Sequence, residues 1–512
     1  MLVARHLYTG RLFEDQNATP WRLNLTAVSS QNSLVAVAID RHVSIFDIGH
    51  YGRIPTFRQK LAYPDPIYDD KINAISLDVL GGRETVIAVY DSGRSIAWAL
   101  EGEFSVVWDH HGQISTWGCS IHSATNTVAT SSNAHVIDVY RLNVGGARGD
   151  MANDNSENHQ LLAEGFQLEG HTKNVPHIAF SAGGKYIASA SIDSTIRVWS
   201  LRSRQLAFAF RYSQWCWAVR FVYPFYFMPA ALAGELHDSR SAESDKSDEF
   251  DESDEADEAD EPDEPDESDE SDESDEFEGR AGTNSTDEYV QSSGDTNGGL
   301  MLSINATALI SELLVDHAGD IQNGHTGRTP SPSAECNTDS ARDISFQPKE
   351  HMVPEGESPH MASPLLFCCT ERDVLLIDPS AQAQEAVVAR IKNALYRESW
   401  PPSGGAVVFD RISFLEWIPD MSIAVVGSFS GTVAIIGVQT LESADGQGAR
   451  YRMDVLHHLP EELNNGQLYG LSVYRHPVGV GISGPMTLFA TYLDGKILAY
   501  EILDANEAGY VL

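Results

Sequence analysis

The sequence predicts an all-β protein, a seven-bladed β-propeller interrupted by one long acidic insertion. Three observations lead to this fold class. Residues 168–201 read as three short strands separated by turns that contain Gly, Asp and Ser. A third strand of similar pattern occurs at six other places in the 512 residues. Around these places apolar and β-branched residues alternate with polar ones, as in half-buried strands, and no comparably long helical period competes.

The best-defined blade, residues 168–201, carries polar residues at spacings that allow one internal network. A Gly-His pair precedes the first strand, a serine lies in the second, an aspartate lies in the next turn and a tryptophan ends the third strand. Carboxylate, imidazole, hydroxyl and indole N–H can then form one buried hydrogen-bond chain that locks the blade. The predicted members are His171, Ser189, Asp193 and Trp199, with Ser191 on the same strand face as an alternative hydroxyl.

This stretch resembles a repeat of the WD40 family, in which roughly 40–45 residues make one four-stranded propeller blade. It departs from the family at Ser200, where the repeat usually carries Asp. That position caps a local turn, so the departure leaves the blade assignment intact. The resemblance implies a ring of several blades, because one blade cannot bury both of its faces.

Degenerate copies of the repeat become visible when the position of Trp199 serves as a register mark. The seven marks are Phe46, Trp98, Tyr140, Trp199, Ile377, Ile436 and Tyr500. The intervals between them are 52, 42, 59, 178, 59 and 64 residues, so five fit one blade with its loops and one is far too long. We therefore predict seven blades, with the extra residues inserted between the first and second strands of the fifth.

The seventh blade lacks a predicted outer strand after Tyr500. Residues 2–8, "LVARHLY", have the alternation of a strand. We predict that this segment closes the ring as the missing strand, since closure protects sheet edges.

The predicted organisation has three parts. Residues 1–229 hold blades 1 to 4 and the start of blade 5, and residues 363–512 hold the rest of blade 5 and blades 6 and 7. Residues 230–362 form the insertion, which we expect to be disordered apart from one possible amphipathic helix at 299–318. That helix is expected to pack on the propeller or to form transiently, with docking to a partner as the alternative.

Residues 243–278 within the insertion carry 23 Asp or Glu and one Lys, and they supply more than half of the net charge of −40. Self-repulsion and the scarcity of apolar residues predict an extended, solvated segment. It acts either as a solubilising spacer or as an attractor of a basic partner such as histone tails. Because no Lys- or Arg-rich run is present, we expect no direct binding of nucleic acid.

The sequence predicts a protein that is not an enzyme. Gly-x-Ser-x-Gly, phosphate-loop and dinucleotide motifs are absent. The adjacent histidines at 110–111 and 457–458 point to opposite faces of a strand, and no third ligand is placed, so we predict neither a metal site nor a cofactor. No secretion signal or membrane span is recognisable, which favours the nucleus or the cytoplasm and excludes secretion.

Four later segments resemble a narrower group, the fungal WD-repeat family of transcriptional regulators of ribonucleotide reductase genes. They are "SPLLFCCTERDVLLIDP" at 363–379, "FDRISFLEWIPDMSIAVVGSFSGTVAIIGV" at 409–438, "HHLPEELNNGQLYGLSVYR" at 457–475 and "YLDGKILAYEI" at 492–502. The resemblance implies a non-enzymatic scaffold that regulates transcription of these genes through protein contacts, and it supplies no catalytic residues.

A second functional class follows from "VWSLR" at 198–202. It is similar to the Trp-Asp-x-Arg motif with which many WD-repeat proteins dock, as substrate receptors, on cullin-based ubiquitin ligases. Arg202 occupies the arginine position, while Ser200 departs from the motif. Arg202 is therefore a candidate residue for docking a partner, and the alternative is that it pairs with a neighbouring blade.

Overall fold

The structure is a computed structural model of the 512-residue chain. It describes residues 2–14, 22–29, 31–62, 70–112, 114–143, 163–224, 228–229, 363–382, 385–397, 411–441, 449–461, 466–477 and 483–504. The expected disordered insertion, with its acidic segment 243–278 and its possible helix at 299–318, lies outside these residues.

The described residues form seven antiparallel sheets, and the predicted seven-bladed β-propeller is confirmed. The chain opens with β1 (Leu2–Arg11). Blade 1 contains β2 (Thr26–Ser29), β3 (Leu34–Ile39), β4 (His42–Asp47) and β5 (Thr56–Ala62). Blade 2 contains β6 (Ile72–Leu80), β7 (Arg83–Tyr90), β8 (Arg94–Ala99) and β9 (Val106–His111). Blade 3 contains β10 (Thr116–His122), β11 (Thr127–Ser132), β12 (Ile137–Leu142) and β13 (Ala163–Leu168).

The remaining blades follow the same order from the centre outward. Blade 4 contains β14 (His177–Phe180), β15 (Tyr186–Ala190), β16 (Thr195–Ser200) and β17 (Gln205–Arg211). Blade 5 begins with β18 (Cys216–Val222), and the short β19 (Met228–Pro229) follows. Blade 5 continues with β20 (Leu365–Thr370), β21 (Val374–Ile377) and β22 (Val387–Ile391). Blade 6 contains β23 (Ile412–Ile418), β24 (Ile423–Ser428), β25 (Val433–Leu441) and β26 (Arg450–Leu459), and blade 7 contains β27 (Leu468–Pro477), β28 (Ser483–Tyr492) and β29 (Lys496–Asp504).

The first strands of the blades form the inner wall of a closed ring. Each first strand contacts the next one around the ring, in the order β2, β6, β10, β14, β18, β23 and β27, and β27 contacts β2. β1 pairs antiparallel with β29 and supplies the outer strand of blade 7. β19 adds a short parallel pairing to β25 in blade 6. Two 3-10 turns, Ser123–Thr125 and Pro419–Met421, join the first and second strands of blades 3 and 6.

The burial of each strand follows its position in the blade. All six residues of β3, "LVAVAI", are buried, because a second strand has a neighbouring blade on both faces. The outer strand β5, "TFRQKLA", exposes every side chain except Leu61. Apolar clusters lie between adjacent blades, as where Phe367 of blade 5 meets Trp417 of blade 6 with 6.2 Å between ring centroids. Packing between blades therefore holds the ring together.

The antiparallel order of the strands defines two faces of the ring. The upper face carries the turns between second and third strands and the connections from each outer strand to the next inner strand. The lower face carries the turns between first and second strands and between third and fourth strands. The end of β18 and the beginning of β20 therefore lie at the lower face.

Candidate functional site

The four residues singled out in blade 4 come together in the structure. His171 lies in the connection before β14, Ser189 lies in β15, Asp193 lies in the β15–β16 turn and Trp199 lies in β16. His171 Nδ1 is 2.9 Å from Asp193 Oδ2, and His171 Nε2 is 2.8 Å from Ser189 Oγ. The indole Nε1 of Trp199 donates to Ser189 Oγ over 2.9 Å. These contacts form one chain of hydrogen bonds from turn to third strand.

The donor properties of the groups fix the direction of the chain. An indole N–H only donates, so Ser189 Oγ accepts from Trp199, and a carboxylate only accepts, so His171 Nδ1 donates to Asp193. A neutral imidazole that donates from Nδ1 has Nε2 as its acceptor, so the Ser189 hydroxyl donates to His171 Nε2. The alternative hydroxyl, Ser191, donates instead to the carbonyl of Asn174 over 2.8 Å.

Asp193 is held by more than the histidine. Its carboxylate accepts the backbone N–H groups of Thr172 at 3.0 Å and Thr195 at 2.9 Å, and the Thr195 hydroxyl at 2.5 Å. The side chains of His171 and Asp193 are only 1% and 2% exposed. The network is thus closed and inward-facing, and its geometry suits stabilisation of the blade.

Burial and pairing shift the pKa values of both groups downward. Burial lowers the pKa of His171, although the hydrogen bond to Asp193 opposes this effect. Burial alone would raise the pKa of Asp193, but the hydrogen bond and charge of the His171 contact, with the Thr195 and Thr172 donors, hold that pKa well below its ordinary value. The pair therefore favours a neutral imidazole beside a carboxylate.

These shifts predict that acid weakens the fold through this pair. Both folded-state pKa values lie below the ordinary ones, so the unfolded chain binds more protons. The contribution of His171 is fully present above its ordinary value of 6.5 and is lost as pH falls below it, whereas the contribution of Asp193 is lost only below its ordinary value of 3.8. We expect the free energy of unfolding to fall less between pH 7.5 and 5.5 in His171→Gln than in the parent. An exposed-histidine control, His50→Gln, should keep the parental pH dependence; equal profiles for the parent and His171→Gln would contradict the prediction.

Arg202 lies apart from this network, in the lower-face turn between β16 and β17. It is exposed, and within the described part of the chain its side chain has no hydrogen bond or ion pair. Ser200, which stands where the repeat usually has Asp, caps the same turn by accepting the backbone N–H of Ser203 at 3.3 Å. Arg202 thus presents its guanidinium to solvent.

A second buried carboxylate, Asp373 in blade 5, did not emerge from the sequence. Its side chain is 3% exposed and accepts from Tyr212 Oη at 2.7 Å and Arg390 Nη2 at 2.6 Å. Tyr212 follows the outer strand of blade 4, so the contact joins two blades. A repeated pattern in the sequence could have indicated it, because an aspartate follows the second strand of five blades. These residues are Asp40, Asp91, Asp193, Asp373 and Asp494.

Comparisons with known proteins agree with this geometry. The model of the WD40 repeat (WD domain, G-beta repeat) matches residues 163–200, from β13 to the end of β16. A WD40 repeat-containing protein of Dictyostelium discoideum is 32% identical over 203 residues, which cover 40% of this chain and 28% of that protein. An uncharacterized WD repeat-containing protein of Schizosaccharomyces pombe is 23% identical over 218 residues, which cover 40% of this chain and 44% of that protein.

A chain in the crystal structure of a mitotic checkpoint complex also resembles the fold, with a TM-score of 0.49 and 11% identity over 98% of this chain and 92% of that one. The match to the repeat and the two WD-repeat relatives support the WD40-repeat family. The aligned segments span less than half of either relative's length. WD40 propellers generally act as non-enzymatic scaffolds that bind protein partners.

Among the described residues, no three His, Cys, Asp or Glu side chains are grouped as ligands for a metal ion. No helix in the same residues has the length and apolar character needed to cross a membrane.

Proposed function

We propose that this protein is a non-enzymatic scaffold that binds protein partners on its ring. The observation that carries the proposal is the closed ring of seven blades with a WD40 repeat in blade 4. The polar network of blade 4, His171 to Trp199, is buried and satisfied from within the blade. Such a network leaves the outer surface of the ring for recognition.

The more specific role that we propose is control of transcription of ribonucleotide reductase genes. It rests on the resemblance of segments 363–379, 409–438, 457–475 and 492–502 to the fungal regulators of these genes. The protein would act in the nucleus or the cytoplasm through components of the transcription machinery. The strongest of these segments, 409–438, covers the first three strands of blade 6.

Affinity capture tests whether the ring or the insertion binds partners. Full-length protein and a variant without residues 230–362 are used as bait in nuclear extract, and captured proteins are quantified by mass spectrometry. The proposal predicts that the main partners are retained by both baits. Loss of every partner with the shorter bait would assign binding to the insertion.

Loss of every partner with the shorter bait would favour an alternative role. In this alternative, the acidic segment 243–278 binds a basic partner such as histones. Contacts with exposed charges are screened within about 8 Å at physiological ionic strength. A partner held by this segment would therefore leave the full-length bait as salt rises, whereas a partner packed on the ring would stay.

A role as substrate receptor of a cullin-based ubiquitin ligase is a second candidate, favoured by the exposure of Arg202 after Trp199. Under the transcriptional role, we expect Arg202→Ala to change the free energy of unfolding by less than about 0.5 kcal/mol, as at most exposed positions, and to leave ribonucleotide reductase transcripts unchanged. Arg53→Ala, at an exposed arginine in the equivalent connection of blade 1, is the matched control.

The receptor role predicts a different result for the same variants. Arg202→Ala would abolish co-purification of a ligase adaptor while the protein stays folded, and Arg53→Ala would not. If Arg202→Ala also reproduced the phenotype of a full deletion, the receptor role would replace the transcriptional one.

A further inference from the structure

A groove opens between blades 2 and 3, away from the blade 4 network. Its volume is about 410 Å³, within the range of about 300–1,000 Å³ typical of ligand sites. One wall is formed by the end of β9 and residues that follow it, namely His110, His111, Gly112 and Ile114. The other wall is the sheet of blade 3. Its lining includes Gly93 of the β7–β8 turn and Val136 of the β11–β12 turn, so the groove lies near the upper face.

Strand register explains which side chains of blade 3 face the groove. Thr130 in β11 pairs directly with Asp138 in β12, and Asp138 pairs in turn with Gln167 in β13. Cross-strand partners lie on the same face of a sheet, and so do residues two apart along a strand. Tyr140 therefore joins this face beside Asp138. All four side chains line the groove.

An aromatic group forms one side of the groove. Tyr140 Oη and His110 Nε2 are 2.7 Å apart, and their ring centroids are separated by 4.6 Å. Trp108 stacks on His110 with an interplanar angle of 9° and contacts Tyr140 at 5.4 Å between centroids. Burial lowers the pKa of His110, so this imidazole is neutral at pH 7. The ring of Tyr140 is thus held rigidly across the junction of the two blades.

Acceptor groups with spare capacity lie next to these rings. Asp138 accepts one hydrogen bond, from Gln167 Nε2 at 2.8 Å, and within the described residues it has no Lys or Arg partner. Thr130 is 4% exposed, and its hydroxyl has no hydrogen-bond partner among the described groups. An unneutralised carboxylate, a buried hydroxyl and an aromatic face together suit a planar cation that carries several donors.

We propose that this groove binds an arginine side chain from a basic segment of a protein partner. The guanidinium donates to Asp138 and Thr130 and its stem packs along Tyr140. Arginine fits better than lysine because its donors are spread over a planar fork, while the groove offers two separate acceptors, the Asp138 carboxylate and the Thr130 hydroxyl. The net charge of −40 attracts such a segment over longer distances. This inference rests on the proposed scaffold function and names the chemistry of one partner contact.

Saturation-transfer NMR with the full-length chain tests the groove directly. The probe is the blocked peptide acetyl-Gly-Gly-Arg-Gly-Gly-amide, and its counterpart carries citrulline, which keeps the shape and removes the charge. Measurements in 0.3 M NaCl screen the acidic segment 243–278. We expect saturation transfer to the arginine methylenes with the wild-type protein and little transfer to citrulline.

Isosteric variants assign the binding to the groove. Asp138→Asn keeps the acceptor for Gln167 and should weaken peptide binding roughly tenfold or more, as expected for loss of a charged hydrogen-bond partner. Thr130→Val should weaken it several-fold. Glu103→Gln makes the same charge change at an exposed position on the lower face of blade 2 and should have no effect.

Three results would each overturn the inference: no transfer to the arginine peptide, equal transfer to the citrulline peptide, or unchanged binding by Asp138→Asn. None of them bears on whether the ring retains partners in affinity capture, so the scaffold proposal and the groove fail separately.

Discussion

Replacing Gly495 by alanine should destabilise the protein by about 3–4 kcal/mol, among the larger effects of a single substitution. Gly495 lies in the β28–β29 turn with a φ of +78°, and its carbonyl accepts the backbone N–H of Leu12 at 2.8 Å. A Cβ at this position would lie 1.8 Å from the carbonyl oxygen of Phe13. The segment after β1 would have to move, and the strand that closes the ring would be disturbed.

Gly82 provides a matched control for this prediction. Its φ is also +78°, but a Cβ there meets nothing within 4 Å. Gly82→Ala should therefore show only the conformational cost of an alanine at positive φ, about 1 kcal/mol. Urea denaturation of both variants measures the difference. Equal losses of stability would mean that the contact between Gly495 and the N-terminal segment does not hold the ring closed.

Replacing Asp193 by alanine should cost about 3 kcal/mol, because buried donors lose their acceptor. The affected donors are His171 Nδ1, the Thr172 and Thr195 N–H groups and the Thr195 hydroxyl. Water cannot replace the carboxylate easily at a side chain that is only 2% exposed. The expected result is a clear fall in the urea midpoint with little change in slope.

Asp494→Ala measures how much an aspartate in this turn contributes to stability when it is not part of the histidine network. Asp494 occupies the corresponding turn of blade 7 and accepts the N–H of Lys496 at 3.0 Å, much as Asp193 accepts that of Thr195 at 2.9 Å. Asp494 has no histidine partner among the described residues. Its replacement should cost only about 1 kcal/mol, the usual value of one hydrogen bond. Comparable losses at both aspartates would remove the case for a cooperative chain in blade 4.

The strands were predictable because their pattern is local. All seven register marks, from Phe46 to Tyr500, lie in the third strand of a blade, each opposite a buried residue of the second strand. The alternation in residues 2–8 likewise predicted the pairing of β1 with β29. Apolar alternation encodes which face of a strand is buried, and the spacing of the turns encodes the blade.

Contacts between blades were not predictable in the same way. Even within blade 4 the sequence left Ser189 and Ser191 as alternatives, and in the structure Ser189 contacts His171 whereas Ser191 donates to the carbonyl of Asn174. The contact of Tyr212 with Asp373 joins two adjacent blades through residues that are 161 positions apart in the sequence. The groove at Asp138 depends likewise on how blade 2 packs on blade 3. Such packing is set by the ring as a whole.

The proposed role in transcription is tested by the level of ribonucleotide reductase transcripts in cells that lack this protein. We expect deletion to change these transcripts and the full-length chain to restore them. Re-expression of Arg202→Ala should restore them equally well. Unchanged transcripts after deletion would contradict the proposed role in transcription, even if the ring retained its protein partners.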